Sequence, residues 1–97
     1  MWSDAQIKDA WMHLRKNWGE VRRSANCICI QCGHRFSANE IGEWLNKKPK
    51  GYKSESQPTN DESEPCCPNC RMDYVLGDAS GFPLDDEEFF KAMRRNA

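Results

Sequence analysis

Hydrophobic and polar positions along the 97 residues divide the chain into a few short, distinct patterns. Ile7, Trp11, Leu14 and Trp18 recur at spacings of four, three and four with Ala10 beside them, which lines one face of a helix over residues 3–18. Ser3 followed by Gln6 supplies a capping box, and Gly19 a stop, while Lys8, Arg15 and Lys16 fall on the other faces. After a polar connector, Cys27-Ile28-Cys29-Ile30 alternates with period two. The pattern predicts a short strand with its cysteines on one side and its isoleucines on the other. A turn at Cys32-Gly33 would return His34-Arg35-Phe36 as the second arm of a hairpin. Ser37 with Glu40 makes another capping box, and Ile41, Trp44 and Leu45 give a short helix its apolar side.

Residues 46–65 are polar, hold three of the five prolines, and contain a single large apolar group, Tyr52. They read as a mobile loop. Beyond them Met72–Leu76 has strand character and Gly77–Pro83 is rich in turn residues. Asp85 with Glu88 can cap a last helix carrying Phe89, Phe90 and Met93. Its acidic start (Asp85–Glu88) and basic end (Arg94, Arg95) suit the helix dipole. The expected organisation is therefore one domain over 1–97. It comprises an N-terminal helix (3–18), a first cysteine turn and short helix (27–45), a loop (46–65), and a second cysteine turn with a C-terminal helix (66–95).

With 38% hydrophobic and 30% charged residues, the core is thin for this length. Domains this small commonly add a metal or disulfides to hydrophobic burial. Six cysteines are present. Residues 1–10 lack a basic stretch followed by an apolar run, and no segment is apolar over a bilayer's thickness. A cytoplasmic protein with reduced cysteines is the expectation, without a membrane, and metal binding then takes precedence over the disulfide alternative.

Cys29-x2-Cys32 and Cys67-x2-Cys70, separated by 34 residues, are the chemically specific feature. Two residues between thiolates let one turn aim both sulfurs at a single ion. Two such turns complete a tetrahedral four-sulfur shell with no open position for catalysis. One structural Zn²⁺ suits this donor set, and iron in a rubredoxin-like site fits the same spacing. Cys27 and Cys66 are left over, as small buried apolar residues or, in a functional reading, as an alternative ligand or a redox-sensitive thiol. His34, two residues after Cys32, is a substitute ligand or a polar hairpin residue. The fold class these signals define is a small metal-organised α+β domain, a zinc-ribbon-like pair of Cys-x2-Cys knuckles with short β-hairpins, flanked by two helices.

Charge is divided unevenly. Residues 1–53 carry ten Lys/Arg against five Asp/Glu, and residues 54–97 carry four against ten, for a net −1. Four thiolates and a divalent ion would bring this to about −3. A nucleic-acid binder is usually basic overall, so this balance favours a protein partner. No GxGxxG, P-loop, HExxH or Ser/His/Asp arrangement is present, and an enzyme is not expected. Asp78 and Ser80 among their glycines form either turn chemistry or an anion nest.

The run from Cys67-Pro68-Asn69-Cys70 through Gly77-Asp78-Ala79-Ser80-Gly81-Phe82-Pro83 into an acidic-aromatic helix resembles a family of small bacterial cytoplasmic zinc-ribbon-like proteins. There a CPxCG-type knuckle leads into a GxxSGxP segment and a C-terminal helix. The likeness covers about residues 28–93, with Arg71 standing where a glycine is usual. It implies a fold and a zinc site, and no activity. The function expected is non-catalytic protein–protein binding by an inhibitor, adaptor or immunity-type factor of a bacterial or phage cytosol. Trp11, Trp18, Arg22, Arg23 and Trp44 are its candidate contact residues, and Trp2 adds apolar surface. The alternative is nucleic-acid binding, with Lys8, Arg15, Lys16, Arg22, Arg23, Arg35, Lys47 and Lys48 on phosphates and Trp44 or Phe36 stacking on a base.

Overall fold

A computed structural model describes residues 1–96. Helix α1 runs Asp4–Met12, capped as its sequence predicts: the Ser3 hydroxyl accepts from the Gln6 N–H, and the Ser3 N–H donates to the Gln6 side chain. The helix ends well short of residue 18. Asn17 Nδ2 donates to the His13 carbonyl at 2.7 Å, taking the acceptor that the Asn17 backbone would use in a continuing helix. The same amide group donates to the Val75 carbonyl, also at 2.7 Å, and Lys16 turns the chain with a φ of 49°. A separate short helix α2, Trp18–Val21, follows. Gly19 lies inside α2 rather than stopping a helix. It admits the segment at Asp61, whose carbonyl accepts from the Gly19 N–H at 2.8 Å; a Cβ on Gly19 would lie 2.9 Å from that of Asp61.

Strands β1 (Cys27–Cys29) and β2 (Arg35–Phe36) form the expected hairpin, with Cys27 opposite Phe36. Three further strands follow: β3 (Trp44–Lys48), β4 (Gly51–Glu55) and β5 (Glu64–Pro65). The last strand, β6 (Val75–Gly77), is shorter than Met72–Leu76 and displaced towards the C-terminus. It makes no hairpin of its own beside the second cysteine turn but pairs antiparallel with β1. The architecture is α+β, with two three-stranded antiparallel sheets ordered β2-β1-β6 and β4-β3-β5. Helix α3, Glu87–Arg95, closes the chain. Its cap is Asp86, one residue later than expected, which accepts from the Glu88 and Phe89 N–H groups.

The alternation read in β1 sets the position of both cores. Ile28 and Ile30 face one cluster with Ile7, Ala10, Leu14, Leu76, Phe89 and Met93, so α1 and α3 cover that side. Cys27 and Cys29 face the other, with Val21, Phe36, Ile41, Trp44, Cys67 and Val75. Trp18 leaves the α1 stripe and joins this second cluster, its ring edge-on to Trp44 at 5.2 Å.

The largest departure from expectation lies in residues 41–65. The Ser37–Glu40 capping box forms, but over a single 3-10 turn at Ala38–Glu40. Ile41 is already extended, with a ψ of 128°, so the expected helix through Ile41, Trp44 and Leu45 is replaced by β3. An extended segment after a tight turn brings Ile41 and Trp44 to the same core that a helical i, i+3 spacing would.

The expected mobile loop at 46–65 is likewise structured: it contributes most of β3 and all of β4 and β5. Its polar composition concealed a polar organising centre. Asn46 is completely buried. Its Nδ2 donates to a Glu55 carboxylate oxygen and to the Gln57 carbonyl, both at 2.8 Å. Its Oδ1 accepts from the Ser63 hydroxyl at 2.5 Å and from the Thr59 N–H at 3.2 Å. The amide thus ties four points of one segment together, and losing it would strand buried partners. Asn46→Ala should lower the unfolding free energy of the metal-loaded protein by about 2 to 3 kcal/mol in chemical denaturation. Lys50→Ala, at the exposed turn of the same hairpin, should leave it within about 0.5 kcal/mol.

Candidate metal centre

Each Cys-x2-Cys turn closes in the same way. The Gly33 N–H donates to the Cys29 carbonyl at 2.8 Å, and the Cys29 N–H donates to the His34 carbonyl at 2.9 Å. In the second turn the Arg71 N–H donates to the Cys67 carbonyl at 2.9 Å, and the Cys67 N–H to the Met72 carbonyl at 2.8 Å. The residue just past the second cysteine is left-handed in both, with φ of 78° at Gly33 and 69° at Arg71. Glycine reaches this conformation without a Cβ clash; arginine does not. Arg71 therefore takes up the same turn geometry as Gly33 and bears its strain.

These two turns face each other. The sulfurs of Cys29, Cys32, Cys67 and Cys70 all lie within 4.8 Å of one another, with Cys29–Cys70 at 3.6 Å and Cys32–Cys67 at 3.7 Å. A tetrahedral ion bonded to sulfur at about 2.3 Å needs sulfur–sulfur edges of about 3.8 Å, so the donor set fits a metal ion. Cys29 and Cys67 are buried, Cys70 is half-buried and Cys32 is exposed. The Asn69 and Cys70 N–H groups point at Cys67 Sγ from 3.3 and 3.5 Å, and Asn69 Nδ2 reaches Cys32 Sγ at 3.6 Å. Such donors stabilise thiolate charge from outside the ligand shell.

Burial raises the thiol pKa values of Cys29 and Cys67, so metal binding has to displace protons there. At Cys32 the burial that would raise the thiol is outweighed by hydrogen bonds from the Asn69 side chain and the His34 backbone, which bring it down to about 6.

The remaining cysteines stand apart from this cluster. Burial, with Asp78 and Glu40 nearby, pushes Cys27 up to about 11. Burial, with Glu43, Asp73 and Glu64 nearby, pushes Cys66 up to about 12. Thiols held protonated and buried are weak nucleophiles, which favours the apolar role over redox sensing. His34 stacks on Phe36 and lies outside the four-sulfur cluster. The Asp78 carboxylate accepts from the Ala25 and Asn26 N–H groups and from Asn26 Nδ2, so it pins the connector to the turn after β6.

The five candidate contact residues do not share one surface. Trp44 is only 7% exposed, and Trp18 is half-buried against it. Arg22 pairs with Asp61 at 3.1 Å, and Arg23 is exposed. Of the five, Trp11 lines an open groove. With Met12, Leu45, Tyr52 and Tyr74 it lines a groove of about 490 Å³ between α1 and the β3–β4 hairpin. Met12 is 65% and Tyr52 47% exposed. Leu45 and Tyr52 reach this group from β3 and β4, in place of the helix and the loop that their sequence patterns suggest. Tyr52, a lone aromatic in a polar stretch, was the available signal.

Among the described residues no helix is long and apolar enough to cross a membrane. The chain matches no family model, no curated protein and no solved structure.

Arg71→Gly should raise stability by about 1 kcal/mol in denaturant unfolding of the metal-loaded protein, since it relieves left-handed strain at the cost of some chain entropy. A neutral or destabilising result would place the strain elsewhere.

Proposed function

We propose that this chain is a zinc-ribbon-like module whose single structural zinc, held by Cys29, Cys32, Cys67 and Cys70, presents a surface for docking on another protein. The observation carrying this reading is the groove of Trp11, Met12, Leu45, Tyr52 and Tyr74, in which large apolar side chains remain exposed beside a thin core. Four thiolates complete the ion's shell, which argues for a structural rather than a catalytic metal. The sulfur set suits zinc, with iron the competing ion. An inhibitor, adaptor or immunity-type role in a bacterial or phage cytosol is compatible with a small module built around one contact face.

Nucleic-acid binding is the second reading, and one observation favours it: the β3–β4 hairpin carries Lys47, Lys48, Lys50 and Lys53 around exposed Tyr52. Three of the basic residues offered for phosphate contact are already matched within the fold, as Arg22–Asp61, Arg35–Asp85 and Lys48–Glu55. The proposed stacking residues Trp44 and Phe36 are buried. Protein docking is the stronger reading.

Replacing Tyr52 with a photo-crosslinking amino acid in cells that make the protein tests it. A discrete protein adduct should form there and not when the crosslinker replaces exposed Lys91 on α3. Adducts to nucleic acid alone, or none, would contradict it.

A further inference from the structure

Two acidic side chains line the docking groove close enough to hydrogen-bond to each other. Glu64 and Asp73 line it together with the rings of Trp11, Tyr52 and Tyr74. Glu64 is 9% exposed, yet neither acid belongs to any salt bridge among the described residues. Burial, then the neighbouring Asp73, raises the Glu64 carboxyl pKa; only the Lys16 N–H and the more distant Arg15 charge act against this. A hydrogen bond between two carboxyls needs a proton on one of them, and an incoming cation can take that proton's place between the two oxygens.

The walls suit the same ligand. Trp11 and Tyr74 meet edge-to-face at 5.5 Å, and Tyr52 completes an aromatic lining. Aromatic rings attract cations through their faces, and attraction strengthens as water is excluded. Tyr52 already attracts one within the chain: Lys47 Nζ lies 5.1 Å from its ring centre. Met12 and Leu45 supply apolar contact for an aliphatic stem. Arg15, also on the lining, lies beyond salt-bridge distance of both acids, and Lys47 sits on the Tyr52 ring without pairing either of them.

We propose that the groove binds a single lysine or arginine side chain of the partner protein, with Glu64 and Asp73 pairing its charge and Trp11, Tyr52 and Tyr74 enclosing its stem. This rests on the docking reading above and names what the docked segment carries at its centre.

Selecting random linear peptides displayed on phage against the immobilised zinc-loaded full chain tests it. Enriched peptides should share a Lys or Arg between apolar residues and shift the NMR resonances of Trp11 and Tyr74. Changing that residue to Gln, or the protein's Asp73 to Asn, should weaken binding about tenfold or more. Asp73 is only half-buried, so Asp73→Asn should fold; an unchanged amide spectrum away from the groove would verify this. Peptides that shift the groove without a basic residue, or that bind Asp73→Asn equally well, would overturn this inference and leave protein docking standing. Acidic peptides held by the hairpin lysines would overturn it as well. Failure of every peptide to shift the groove would overturn both.

Discussion

Two tight turns, 34 residues apart in the chain, bring four sulfur atoms to the spacing of a tetrahedron's corners, and most of the structure is arranged around that meeting. Cys29 ends β1, and Cys67 lies two residues beyond β5, so a metal at this point would join the first sheet to the second. Without an ion, burial keeps the Cys29 and Cys67 thiols protonated, so both must give up a proton before they can bind an ion. With an ion bonded to all four, the same burial becomes shielding. The two apolar clusters are small, and Cys29 and Cys67 belong to one of them, so a bound ion would add a covalent tie between the two sheets.

The chain between the turns then has to return over a short distance, and it does so as a sheet rather than as slack. Asn46 organises that return through one buried side-chain amide, while Trp44 from the same strand enters the core beside Cys67. Strand alternation places Trp44 and Asn46 inward and Leu45 outward; Tyr52 opposes Lys47, on the outward side of the neighbouring strand. The buried amide and the exposed apolar groove are two faces of one hairpin.

Features governed by neighbours in sequence were legible: the Ser3 and Ser37 capping boxes, the period-two alternation in Cys27–Ile30, the β1–β2 hairpin and the acidic start of the last helix. The cysteine spacing was legible for the same reason, since each pair is a local turn. What failed depended on distant partners. The α1 stripe continues to Trp18 on paper, but Asn17 reaches the Val75 carbonyl, 58 residues away, and the helix breaks there. Strands β3 to β5 lack an alternating apolar signature because the residue buried at their centre is an amide. Of the five proposed contact residues, Trp18 and Trp44 were drawn into the interior by each other, and the groove instead uses Met12, Leu45, Tyr52 and Tyr74 around Trp11.

Docking and metal are thus coupled in the proposed account: one wall of the groove is α1, packed on the cluster that includes Ile28 and Ile30, and the other is a hairpin anchored beside Cys67. Cobalt(II) titration of metal-free protein, followed at once by absorption and by amide NMR, tests the central claim most directly. The account predicts tetrahedral four-thiolate bands that saturate at one equivalent, with amide dispersion across both sheets appearing in step. A fully dispersed spectrum before any metal is added, or bands characteristic of fewer thiolates, would contradict it.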